Sequence, residues 1–239
     1  MDALTEKYSV FDFFNLMIVG MTFLFLMCIC FYSKSFSWLI EVSNTIDNSA
    51  ILFVVTIIGF LGSSLLIGAI FQVISERITH NKSSWEQGMI KQCLNEGALF
   101  ENSIRLKRVR KKACDYFRVK DKQLNEEYNA AFFAYCVYYL HVNNLDKKAE
   151  KLRETEGLST ALSCAFFAIP LTGTLILILQ TNPMYNWNMD LRFTMLIFLL
   201  CLLLGIAFYE RYKMVCKNRI RIVLSTYNAC GDKEMEREV

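Results

Sequence analysis

The sequence predicts an all-α integral membrane protein: four transmembrane helices with a cytoplasmic helical insertion between the second and the third. Three observations predict it. The chain of 239 residues is 54% hydrophobic and has two prolines, too apolar for one soluble core of ordinary composition. The apolar residues pool into four runs free of Lys, Arg and Glu, the pattern that a bilayer selects. The long connection between the second and third runs carries sixteen of the 26 Lys and Arg residues, as a segment that stays in the cytoplasm does.

Residues 1–73 hold the first pair of spans, "FFNLMIVGMTFLFLMCICFY" from Phe13 and "ILFVVTIIGFLGSSLLIGAIFQV" from Ile51. Each reaches the ~20 residues that a helix rising about 1.5 Å per residue needs to cross hydrocarbon. A secretory signal opens on basic residues and ends at a small-residue cleavage site. Here Asp2, Glu6 and Asp12 stand against Lys7, so the first run reads as a permanent anchor. Residues 158–209 hold the second pair, Leu158 to Gln180 and Phe193 to Tyr209. Pro170 predicts a kink in the third span, and the uniformly apolar fourth is expected to face lipid. Small residues four apart predict close helix packing: Gly59 with Ser63, Ser64 with Gly68, and Ser159 with Ser163. That packing is either among the chain's own helices or between copies.

The connections Ser33 to Ala50 and Thr181 to Arg192 carry one basic residue each, whereas seven follow Tyr209. Four crossings then place both termini and the insertion on the basic, cytoplasmic side of the membrane. Trp38, Tyr185 and Trp187 fall near one interface, and Tyr8, Phe11, Tyr209 and Tyr212 near the other.

The insertion, residues 74–157, lacks proline and any strand-like alternation, so it is expected to be a helical domain. "ISERITH" extends the second span, and a helix from Trp85 to about Glu96 follows, capped by Ser83 or Ser84. Next comes "RLKRVRKKACDYFRVKDK", with nine basic residues opposed by Asp115 and Asp121. Leu106, Val109, Ala113 and the Tyr116–Phe117 pair recur at helical spacing, leaving a cationic face. The candidate anion-binding residues are Arg105, Lys107, Arg108, Arg110, Lys111, Lys112, Arg118 and Lys120. Three ligand classes stand. Anionic lipid headgroups attract each cation by roughly 1 kcal/mol. A nucleic acid or nucleotide offers phosphates to the cations and bases to Tyr116 or Phe117. An acidic cytosolic protein is the third. "NAAFFAYCVYYLH", Asn129 to His141, is apolar on nearly every side and too short to span, so it is expected to be buried within the domain or between subunits. A segment this small is marginal alone, which points to a homo-oligomer or a protein partner. Residues 210–239 read as a cytoplasmic basic tail.

Little catalytic chemistry is visible. His80 and His141 are the only histidines, and no glycine-rich phosphate loop, nucleophile elbow or paired-carboxylate motif occurs. No enzyme activity, metal or cofactor is expected; a membrane enzyme is the third functional class kept. The nine cysteines form no Cys-x-x-Cys pair and read as free thiols. The spans carry no ionisable residue at mid-membrane, which argues against energised transport. A pore built from several copies would be lined by Asp12, Asn15 and Thr22, with Thr56, Ser63 and Thr174 deeper; otherwise these form a polar stripe packed against neighbouring helices.

The opening of the first span, "FDFFNLMIVG", resembles the start of small four-span bacterial membrane proteins of unassigned function. Phe11, Asp12, Phe13, Phe14, Asn15 and Gly20 match the pattern, and Val19 stands where that pattern has Pro. The layout of four spans and one helical insertion also resembles membrane components of bacterial anti-phage systems, including the membrane partner in Kiwa-type defence and proteins that accompany some RNA-guided systems. The resemblance implies a non-enzymatic sensor or pore coupled to a cytoplasmic partner. The leading expectation is an oligomer that senses a signal or partner through its cytoplasmic domain and alters membrane permeability. The alternative is a pore-less anchor that recruits a soluble effector.

Overall fold

The computed structural model describes residues 10–30, 49–80, 85–95, 97–100, 103–180 and 191–235. Seven α-helices lie among them: α1 (Val10–Cys30), α2 (Ser49–His80), α3 (Trp85–Lys91), α4 (Ser103–Phe117), α5 (Glu126–Val142), α6 (Lys147–Gln180) and α7 (Leu191–Met235), with a 3-10 turn at Asp121–Gln123. Four of them, α1, α2, α6 and α7, are long and apolar enough to cross a membrane. The shorter helices fall between the second and the third of these, and the chain is a multi-span membrane protein. It divides into two compact units, Met1–Glu76 with Gly157–Glu210, and Arg77–Glu156 with Arg211–Val239. The boundaries fall inside α2, α6 and α7, so each of these helices belongs to both units.

The first unit packs by close approach of backbones. A Cβ built at Gly20 would overlap the carbonyl of Ser64, and one at Gly68 would overlap that of Leu16. Hydrocarbon supplies no hydrophobic force between helices, so van der Waals contact at small residues has to hold α1 to α2. Phe23 and Phe71 continue that seam with ring centroids 5.2 Å apart. On α6 and α7, the Ser163 hydroxyl donates to the carbonyl of Gly205 at 2.9 Å in a buried position, and the Phe198 ring sits over Gly173. Val19, Ala165, Ile169, Ile197 and Cys201 are among the residues of the resulting core.

Half of α6 over Lys147–Ile176 is buried but only 11% of α2 over Phe53–Thr79, so α6 is the enclosed helix and α2 the outward one. The fourth span, expected to be the lipid-facing helix, buries Thr194, Ile197, Phe198, Cys201 and Gly205 along one stripe. Its uniform composition hid that stripe, because Cys and Gly pack inward as well as any Leu faces out. At Pro170, α6 continues without interruption; the Thr174 hydroxyl donates to the Pro170 carbonyl at 2.6 Å.

The second unit is a helical cluster around Cys93, Leu94, Leu106, Val109, Ala113, Phe132, Cys136 and Leu140, all nearly inaccessible. The Asn125 side chain caps α5 by accepting from the amides of Glu127 and Tyr128, each at 3.0 Å. Asn129, buried, donates its Nδ2 to the Lys91 carbonyl at 2.8 Å and so fixes α5 to the end of α3. That helix stops at Lys91 and passes into turns through Asn95, shorter than the expected run to Glu96. Ser83 and Ser84, the expected caps, lie outside the described residues.

Two further features depart from the linear reading. In α5 only Asn129, Phe132, Phe133, Cys136 and Leu140 are buried, at helical spacing, while Val137, Tyr138 and Val142 are exposed. The segment after Tyr209, read as a tail, is the second half of α7, and its Tyr212, Cys216, Ile220, Val223 and Leu224 are buried. Spacings of four, four, three and one make that stripe amphipathic.

Candidate functional site

The cationic face of α4 and the last turns of α7 form the most chemically pointed surface of the second unit. Leu106, Val109 and Ala113 are buried and anchor α4, which turns its charged residues outward. The eight candidate cations then separate by what they touch. Arg110 is committed: its Nε lies 2.7 Å from the Asp121 carboxylate, and its Nη1 donates to the Leu94 carbonyl at 3.4 Å. Lys112 donates to the Asn228 carbonyl at 2.7 Å and stands 5.7 Å from the centre of the Tyr227 ring.

Arg118 follows the last turn of α4 with φ of 54°. The amides of Arg118 and Val119 there return to the carbonyls of Asp115 and Cys114 at 3.3 and 3.0 Å. This is the left-handed helix stop that glycine usually occupies. Lys107, Lys111 and Lys120 are exposed. Arg105 and Arg108 have no hydrogen-bond or ion-pair partner among the described residues, and together with Phe100, Val109, Ser225, Asn228 and Ala229 they line a cavity of ≈280 Å³.

Aromatic rings brace the region beside it. Tyr116 stacks on Tyr135 at 4.3 Å, and Tyr227 receives the rings of Phe132, Tyr135 and Tyr139 at 5.6, 5.7 and 5.2 Å. Tyr116, considered as a base-stacking residue, therefore has one face occupied by Tyr135. Deeper in the unit, Arg219 of α7 donates from Nε to both carboxylate oxygens of Glu156 at 2.8 and 3.0 Å, and from Nη2 to Glu86. One guanidinium thereby ties α3, α6 and α7. Glu86, Glu156 and Cys216 have the mutual spacing of a metal site, but the Arg219 cation already supplies the positive charge between the carboxylates. A second such group is His141, Asp146 and Glu150, in which His141 Nδ1 lies 2.7 Å from the Asp146 carboxylate. The buried thiols are inert. Burial pushes the Cys93 thiol up to about 12 and raises that of Cys136 as well, chiefly by desolvation.

The expected pore stripe is spread over three helices, α1, α2 and, at Thr174, α6. Thr22 donates its hydroxyl to the Ile18 carbonyl at 2.8 Å, and Asn15 is half-buried. Thr56 and Ser63 face outward on α2, and the Asp12 side chain lies outside the described residues. The small-residue pairs divide the same way. Ser64 and Gly68 face α1, whereas Gly59 has open space where a Cβ would stand and Ser63 is exposed. Ser159 and Ser163 are both buried.

Glu86, Glu156, Arg219, Ser225 and Asn228 were not singled out by the sequence reading. The apolar stripe of the second half of α7 is the signal that would have found Arg219, Ser225 and Asn228, since it shows that this segment packs into a core. Compared with known proteins, the chain matches no family model, no curated sequence and no solved structure.

Proposed function

We propose that the chain is a non-enzymatic, oligomeric inner-membrane protein that receives an anionic signal on its second unit and alters membrane permeability. In this reading both termini and the second unit are cytoplasmic, as the distribution of Lys and Arg supports. The observation that carries the proposal is the sharing of α2, α6 and α7 between the two units. A ligand that acts on the second-unit portions of these helices acts on elements whose sequence continues into the spans. The resemblance to membrane components of anti-phage systems supports a defence role of this kind.

The test is release of a small dye from liposomes that contain the purified protein. Leakage that rises when an anionic ligand or partner is added is expected. Intact vesicles under every such condition would reject permeation.

A second reading, a pore-less anchor that recruits a soluble effector, draws support from the exposed Val137, Tyr138, Val142 and Leu145 at the end of α5. Stoichiometric co-purification of a cytosolic protein, lost on Tyr138→Glu, is its expected signature.

A further inference from the structure

We propose that the cavity between α4 and the last turns of α7 is a binding site for a small organic phosphate. This rests on the reading that the second unit receives an anionic signal, and it specifies the chemistry of that signal. Four side chains around the cavity can donate: Arg105 and Arg108, three apart on α4, and Ser225 and Asn228, three apart on α7. Neither arginine has a partner among the described residues, and neither does the Ser225 hydroxyl. The Asn228 side-chain amide can donate from Nδ2, and its Oδ1, sealed from solvent and unpartnered, is an acceptor that a hydroxyl on the ligand's carbon skeleton would satisfy. Donors without acceptors, two of them guanidinium groups, describe a site for an anion with several acceptor oxygens.

The contrast along the same helix is informative. Arg110 and Lys112 are committed to Asp121 and to the Asn228 carbonyl, so the uncommitted arginines are those that face the cavity. Arg105 also lies in the first turn of α4, which has no acidic residue. A cation there opposes the helix dipole and does nothing for helix stability. Phe100, Val109 and Ala229 supply an apolar wall, which suits a phosphate carrying a carbon skeleton. A volume of ≈280 Å³ falls at the low end for ligand pockets. It fits a phosphomonoester with a short body, not a dinucleotide or a nucleic acid strand.

Such a phosphate can be free or the headgroup of a lipid, and two arms separate the sources. The full-length protein in zwitterionic nanodiscs is titrated calorimetrically with glycerol 3-phosphate, and its melting is followed in nanodiscs with and without phosphatidic acid. Saturable binding of glycerol 3-phosphate establishes the free form. Stabilisation by phosphatidic acid without it establishes the headgroup. In either case Arg105→Gln with Arg108→Gln weakens the effect about a hundredfold, and Ser225→Leu, which fills the cavity with no change of charge, removes it. Lys111→Gln with Lys120→Gln leaves it unchanged.

Absence of both effects overturns the proposal, as does equal loss in the Lys111 and Lys120 variant, which would mean diffuse surface attraction. The arginines are exposed, so their variants keep the test valid should Ser225→Leu fail to fold. Binding without dye release rejects the permeability reading alone, and dye release without binding rejects this one alone.

Discussion

At the level of single residues, Arg219 carries the largest electrostatic load in the second unit. Two carboxylates, Glu86 and Glu156, share its one guanidinium in a buried position. Removing the cation leaves the buried Glu156 beside a second, partly buried carboxylate, Glu86. Arg219→Met is therefore expected to lower unfolding stability by about 3–5 kcal/mol, whereas replacing all three residues by apolar ones recovers most of the loss. Denaturant unfolding of the protein in detergent measures both. Arg118 gives the opposite sign. It sits at φ of 54°, where an L side chain is strained and glycine is not. Arg118→Gly is expected to raise stability by up to about 1 kcal/mol, read as a higher melting temperature. Asn144 occupies the equivalent position after α5 at the same φ, and asparagine tolerates it. The cationic character of both Arg118 and Arg219 was plain from sequence. That one stops a helix and the other is buried was not, because Arg is not the residue that usually marks a left-handed stop and the burial of Arg219 is set by Glu86 and Glu156 on other helices.

At the level of elements, the α1–α2 seam depends on two glycines that meet backbone carbonyls. Gly68→Leu is expected to separate the helices and cost several kcal/mol, with overpacking and lost contact adding. Gly59→Leu, into open space, is expected to leave the melting temperature of detergent-purified protein within about 1 °C. Equal effects of the two would show that the seam is elsewhere. Small residues four apart were legible in the sequence on both faces of α2. Which face meets α1 was not, since Gly59, Ser63, Ser64 and Gly68 carry the same spacing and differ only in what stands opposite. The helix α5 makes the same point. Its composition reads as apolar all round, and its neighbours bury one stripe of it and leave Tyr138 out.

For the whole molecule, the proposed cytoplasmic placement of the second unit predicts that alkaline phosphatase fused after Asn44 is active and that a fusion after Lys122 is inactive. The reverse result would invert the topology. The four apolar runs, the number of long helices and the position of the shorter ones followed from the sequence alone, because hydrocarbon imposes length and composition on each span separately. Such constraints are local and can be read residue by residue. Only the tertiary structure decided that the second half of α7 belongs to the core of the second unit, that Arg219 joins three helices, and that Arg105 and Arg108 meet Ser225 and Asn228 across a cavity. Those relations link residues from 63 to more than a hundred positions apart. They are set by which faces pack together, and in a chain with so many amphipathic and uniformly apolar helices the sequence offers several faces of nearly equal merit.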